Sequence, residues 1–222
     1  MPGRVFPLRE RGTPPPVMRS VDEDRAEAIA AERGLAIIPP FDDDRIIAGQ
    51  GTIGLEIVES LPTTGLILVP IGGGGLASGL VTAVKAVRPD VRVLGVEPEL
   101  AADASESLAR GELVRWEASE VSRTIADGTR TQALGERTFA HLVAYLDGIV
   151  TVSEVEIAAA VRLAAERARL VVEPSGALGI AAAVFHADVV GLPKDADTVA
   201  VASGGNVDPE AYRRYLEAPL PG

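Results

Sequence analysis

The chain has 222 residues, of which 47% are hydrophobic and only 4% aromatic, and a formal net charge of −11. That length allows one sizeable domain, or one domain with part of another, around a core built mainly from Val, Leu, Ile and Ala. The acidic balance argues against a nucleic-acid backbone as partner, and the absence of cysteine excludes disulfides, thiolate metal sites and cysteine nucleophiles.

Residues 1–19 read as an irregular tail, because Pro14, Pro15 and Pro16 forbid helix and nothing alternates like a strand. The stretch Met1 to Met18 has no apolar h-region, so it is not a secretory signal, and no apolar run is long enough to span a bilayer. A cytoplasmic protein without membrane or nucleic-acid partners is the expectation. Asp22 to Arg33 predicts a helix stopped by Gly34, and Leu35 to Ile38 a short strand ended by Pro39 and Pro40.

Ile47 to Leu61 reads as a helix, Leu66 to Val69 as a strand, and Leu76 to Val87 as an amphipathic helix. Val91 to Val96 then reads as a second strand. Strand, tight loop, helix and strand form a βαβ unit, which predicts parallel strands joined by a right-handed crossover. Further on, Gly135 to Leu146 predicts a helix and Ile149 to Val152 a strand. Ser153 with Glu156 fits a capping box opening a helix to about Arg169. Ala177 to His186 predicts another helix, Thr198 to Ala202 a strand, and Pro209 to Leu216 a final helix. The fold class is α/β with a mostly parallel sheet between helical layers, which suits the 23 glycines. His141 and His186 fall in predicted helices with no partner acid in view and receive no chemistry.

Between the first strand and its helix lies Gly72-Gly73-Gly74-Gly75-Leu76. Four glycines let the backbone approach a ligand closely, and their N–H groups with the helix N-terminus form a phosphate site. Consecutive glycines cost more chain entropy than a plain turn needs. A Walker motif is excluded, since no Gly-Lys-Ser/Thr follows. Gly72-x-Gly74-x-x-Ala77, with Glu97 closing the next strand, leaves a nicotinamide-dinucleotide reading open on local sequence alone.

The tetraglycine loop after Val69-Pro70 resembles the phosphate cradle of fold-type II pyridoxal-phosphate enzymes, the tryptophan synthase β-like fold. Ala48-Gly49-Gln50-Gly51-Thr52 resembles a helix start of threonine dehydratases and serine racemase, and Thr124-Ile125-Ala126-Asp127-Gly128 resembles a loop of theirs. Ser203-Gly204-Gly205-Asn206 resembles the segment whose serine meets the pyridine nitrogen. Four motifs in order displace the dinucleotide reading. The resemblance implies a pyridoxal 5′-phosphate enzyme of the serine/threonine dehydratase and serine racemase branch, acting on a small hydroxy amino acid. L-threonine or L-serine would become a 2-oxo acid plus ammonia, with serine racemization and 3-hydroxyaspartate dehydration as alternatives. It also implies a homodimer for the full-length members of the family.

By the same resemblance, Gly72, Gly73, Gly74, Gly75 and Leu76 hold the phosphate and Ser203 the ring nitrogen. Gly128, Glu173 and Phe41 lie near the ring. Glu97, Ala101 and Asp103 resemble a site for Mg²⁺ or Ca²⁺, for which two carboxylates and a carbonyl are suitable hard ligands. Without the resemblance these acids read as a solvated loop.

The family's Schiff-base lysine is expected upstream of the glycine loop in a Ser-x-Lys-x-Arg setting. This chain carries only Lys85 and Lys194, and neither matches. The expectation is therefore no catalytic lysine, a truncated small domain over 20–40, an incomplete large domain over 41–222, and a chain inactive alone. A non-catalytic fragment with an uncovered, self-associating sheet edge is the rival.

Overall fold

A computed structural model describes residues 21–221, so the tail expected over 1–19 lies outside the described residues. The described chain opens with α1 (Val21–Arg33), as the sequence predicts. Leu35 to Ile38, expected as a strand, instead forms none. These residues are exposed, Ile38 at 78%, and among the described residues no strand pairs with them, so no ladder forms; the Leu35 N–H donates instead to the Ala30 carbonyl at 2.9 Å.

Helix α2 (Asp44–Ser60) starts three residues before the expected Ile47, because the side chain of Asp43 caps it by accepting from the Arg45 N–H. Strand β1 (Thr64–Pro70), helix α3 (Gly75–Val87) and strand β2 (Arg92–Pro98) complete the expected βαβ unit. Helices α4 (Asp103–Arg110) and α5 (Ala118–Val121) were not legible in the sequence. Helix α6 (Glu136–Tyr145) and strand β3 (Gly148–Val152) follow as predicted.

Helix α7 (Glu154–Leu163) opens with the expected capping box, both of its hydrogen bonds formed between Ser153 and Glu156. It does not run to Arg169 as one regular helix. It widens into a π-helical turn over Ala164–Ala168 and stops at Arg169, which adopts a left-handed φ of 60°. Helices α8 (Leu178–Phe185) and α9 (Ala187–Val190), strand β4 (Asp197–Ala200) and helix α10 (Pro209–Leu216) follow. His186, between α8 and α9, does meet an acid: its Nε2 lies 3.1 Å from Glu156 Oε1.

The four strands of the described residues are all parallel, in the order β3-β2-β1-β4. Alternation along the strands splits the core into two layers. Ile67, Val69, Val93 and Ile149 pack against α3, α4 and α6 on one face. Leu66, Leu68, Leu94, Val150 and Val152 pack against α7 and α8 on the other. Strands buried on both faces explain why β1 and β2 read as near-continuous apolar runs.

Helix α2 rides on α3. Gly51, Gly54 and Gly79 line that contact: a Cβ at Gly79 would lie 2.2 Å from the Ile47 carbonyl oxygen. The strand order also fixes where a ligand belongs. From β1 the chain moves outward through β2 to β3, then returns to the opposite side of β1 with β4. The crevice between the carboxyl ends of β1 and β4 is a topological switch point, where open α/β sheets bind ligands.

Candidate active site

A cavity of about 480 Å³ opens at that switch point. Its wall includes Gly72, Gly73, Gly74, Gly75 and Leu76 from the β1–α3 turn, Ser203 beyond β4, and Gly128, Glu173 and Phe41 from other loops. The nine residues singled out for a cofactor, drawn from distant parts of the chain, thus share one pocket. The volume is in the range of cofactor and small-ligand sites.

The glycines of the loop are required by close packing. Gly74 caps α3 with a φ of 92°, a conformation side chains resist. A Cβ on Gly73 would sit 2.3 Å from the Phe41 ring. The carbonyl of Gly73 accepts from the Thr138 hydroxyl at 2.7 Å, and the Ser78 N–H donates to the Gly74 carbonyl at 2.8 Å. The loop is thus fastened through its carbonyls, while the first-turn N–H groups of α3 have no acceptor within their own helix. Such a terminus attracts an anion.

The opposite wall is built from loops that hold one another. Gly128 N–H donates to the Ser175 hydroxyl at 2.9 Å, and Ile125 N–H to Glu154 at 2.6 Å. Glu173 N–H donates to the Gly204 carbonyl at 3.1 Å, and the Glu173 carboxylate lies so close to Gly204 that a Cβ there would meet it at 2.3 Å. Glu173 is therefore half-buried against the Ser203–Gly204 turn rather than a free turn acid.

Sequence reasoning missed Pro40, Gln50, Pro70, Thr129, Thr131 and Ser175, which also line the cavity. Gln50 lies within the Ala48–Thr52 motif and Thr129 directly follows the Thr124–Gly128 motif. Thr131 carried no signal at all, yet its buried hydroxyl has no hydrogen-bond partner within the protein. A buried polar atom left single in a cavity wall fits a polar ligand there. Together with the glycine cradle, it makes the pocket a fit for a phosphorylated cofactor.

Neither lysine is near. Lys85 pairs with Asp147 at 2.7 Å and donates to the Val91 carbonyl, and Lys194 is exposed in the loop before β4. Neither lines the cavity.

Glu97, Ala101 and Asp103 are brought together elsewhere, and all three are buried. The solvated-loop reading is thus wrong. Glu97 lies near the end of β2 and accepts the N–H groups of Ala104 at 3.0 Å and Ser105 at 2.7 Å, capping α4 from the preceding strand. Burial, and then the charge of Asp103, push Glu97 well above the carboxylate range despite those bonds. Burial pushes Asp103 up to about 7. Asp103 Oδ2 is buried without a hydrogen-bond partner. An orphaned carboxylate oxygen beside a second carboxylate fits a hard cation. Among the described residues no group of three or more His, Asp or Glu side chains could hold a metal, so a cation here would also need carbonyl or water oxygens.

Comparison with known proteins identifies the lineage. Residues 15–204 match the family described as pyridoxal-phosphate dependent enzyme. The chain belongs to that family. The L-threonine ammonia-lyase of Geobacter sulfurreducens is 42% identical over 99% of this chain and 54% of its own length. The crystal structure of the threonine deaminase from T.th. superposes with a TM-score of 0.78 at 50% identity, covering 84% of this chain and 62% of that one. Maize serine racemase superposes with a TM-score of 0.80 at 33% identity, covering 90% and 60%. The chain thus spans about half the length of the curated relative and three-fifths of the solved ones. The fold is that of fold-type II pyridoxal-phosphate enzymes, and the dinucleotide reading falls away. Among the described residues no helix is long and apolar enough to cross a membrane.

Proposed function

We propose that this chain forms the phosphate- and ring-holding part of a pyridoxal-phosphate-dependent ammonia-lyase acting on L-threonine or L-serine. The observation that carries this reading is the single cavity at the β1–β4 switch point, walled by both the glycine cradle and Ser203. Gly72 to Leu76 would bind the phosphate through backbone N–H groups and the α3 dipole. The Ser203 hydroxyl would hydrogen-bond the ring nitrogen, and Phe41, Gly128 and Glu173 would enclose the ring. A neutral hydroxyl leaves that nitrogen largely unprotonated, which favours elimination over a long-lived carbanion. Bound there, the cofactor would supply an electron sink for the substrate α-carbon, the chemistry that conversion of a hydroxy amino acid to a 2-oxo acid and ammonia requires.

Since neither lysine lines the cavity, the 222-residue chain is expected to hold the cofactor by its phosphate and not covalently. The test is desalting after incubation with pyridoxal phosphate or with pyridoxal. Pyridoxal phosphate should be retained and pyridoxal lost, and borohydride should fix neither to the chain. Gly73→Ala should weaken retention on the order of tenfold, because displacing the Phe41 ring costs about 1–3 kcal/mol. Equal retention of the two vitamers would refute the phosphate assignment. Borohydride fixation lost in Lys85→Ala or Lys194→Ala would overturn the non-covalent reading.

Glu97, Ala101 and Asp103 are the proposed Mg²⁺ or Ca²⁺ site, supported by the unpartnered Asp103 oxygen. A cation at about a hundred times its Kd should stabilise the fold by about 2.7 kcal/mol. That raises Tm by roughly 5–10 °C, and Asp103→Asn should remove the rise. No shift with either cation, in a chain made more stable by Asp103→Asn, would leave Glu97 as a helix cap only.

A further inference from the structure

Two helix N-termini converge on the glycine loop, those of α3 and α6, and they are capped differently. The N-cap of α6 is Gly135, which has no side chain to offer. Its place is taken by Asp42, far earlier in the chain. Asp42 Oδ1 accepts the N–H groups of Arg137 at 2.8 Å and Thr138 at 3.2 Å, and Oδ2 accepts that of Glu136 at 3.2 Å. These are the first three residues of the helix, so the donors that α6 cannot satisfy internally meet a carboxylate. The absence of a side chain at Gly135 is what admits it: a Cβ there would lie 2.2 Å from Asp42 Oδ1.

The same first turn also grips the glycine loop. The buried Thr138 hydroxyl donates to the Gly73 carbonyl at 2.7 Å, and the Gly135 N–H points to the same oxygen at 3.4 Å. The Ser78 hydroxyl, from α3, donates to the Thr138 carbonyl at 3.0 Å. On the other side, Phe41, the neighbour of Asp42, packs its ring on Gly73 and its backbone on Gly75. Asp42 thus bonds the turn that grips Gly73 and is the chain neighbour of the ring packed on it.

We infer that Asp42 is a positioning residue for the phosphate cradle: by capping α6 it holds Phe41 on one side of Gly73 and Thr138 on the other. Its charge also offsets the positive end of α6, which leaves the α3 terminus to the phosphate. Losing such a cap shifts a local opening equilibrium on the order of tenfold. The closing of the loop onto α3 is reported by the Ser78 amide, bonded to the Gly74 carbonyl.

The experiment is hydrogen exchange on the full chain without cofactor, followed by pyridoxal phosphate binding, which alone rests on the proposed function. Asp42→Ala should speed exchange of the Ser78 amide on the order of tenfold. Asp42→Asn keeps an acceptor for the two Oδ1 bonds and should restore most of the protection. Asp208→Ala removes a comparable cap, that of α10, and should leave Ser78 unchanged. Thr138→Val cuts the link to Gly73 with little change of shape, and should reproduce the effect if Asp42→Ala fails to fold. Affinity for pyridoxal phosphate should drop by the same factor in Asp42→Ala. Ser78 exchange unchanged in a folded Asp42→Ala, or accelerated equally by Asp208→Ala, overturns the inference. A wild-type chain that binds no cofactor refutes the functional reading instead, and the exchange data still decide this one.

Discussion

Gly79→Ala is expected to cost about 3 kcal/mol and to lower the melting temperature by roughly 6–12 °C. The added Cβ would lie 2.2 Å from the Ile47 carbonyl oxygen and 2.7 Å from the Gly51 nitrogen. Both are backbone atoms of α2, so no rotamer change relieves the overlap and the helix itself must move away from α3. Neighbouring glycines provide an internal scale. Gly51→Ala meets the Gly79 oxygen at 3.1 Å and the Ala83 Cβ at 3.3 Å, a contact that a small shift resolves, and should cost about 1 kcal/mol. Gly49→Ala meets nothing within 4 Å and should stabilise α2 by about 0.5–1 kcal/mol, the usual gain over glycine in a helix. Thermal unfolding of the three variants checks the order. A Gly79→Ala protein that melts with wild type would mean that α2 and α3 are not in this close contact. The effect should reach the site as well, because Gln50 on α2 and the N-terminus of α3 both line the cavity.

These glycines show how far the sequence could be read. Ala48-Gly49-Gln50-Gly51-Thr52 was visible as a motif by resemblance. For Gly51 the physical reason is a helix pressed closely on another, and a single string does not say which helix that is. The apolar runs of β1 and β2, the glycine turn and the Ser153–Glu156 box are local signals, and the structure contains all of them. Tertiary decisions were out of reach. Leu35 to Ile38 has strand composition but, among the described residues, no partner strand. Glu97 and Asp103 look like surface acids because the string does not say that one caps a helix from inside the core. Asp42 sits in a run of three aspartates, of which Asp43 caps the helix that follows and Asp42 a helix far ahead. Thr131 is one polar residue in a polar loop, and only its unpartnered hydroxyl in the cavity wall marks it.

The open side of the sheet gives a prediction in which adjacent positions should differ sharply. Among the described residues, strand β4 pairs with β1 alone, and its residues are exposed or half-buried, whereas β3 at the opposite edge is largely buried. The N–H groups of Asp197 and Val201 donate toward β1, to the Thr63 and Leu68 carbonyls at 2.9 Å. By strand alternation Val199 faces β1 too, while Thr198 and Ala200 turn their N–H groups to the open edge. Val199→Pro should therefore remove a ladder bond beside the core strand and cost about 3 kcal/mol or more. Ala200→Pro removes a donor that faces away from β1, and should cost under about 1 kcal/mol. Denaturant unfolding of the two variants measures the difference, and equal damage in a monomeric protein would mean that the edge is not open. Any polypeptide that adds a strand to β4, including a second copy of the chain, needs that outward row. Ala200→Pro should then break the assembly while sparing the fold, which light scattering separates from unfolding. Because Ser203 follows closely on β4 and stands in the cavity wall, pairing on this edge would also steady the serine proposed to meet the cofactor ring.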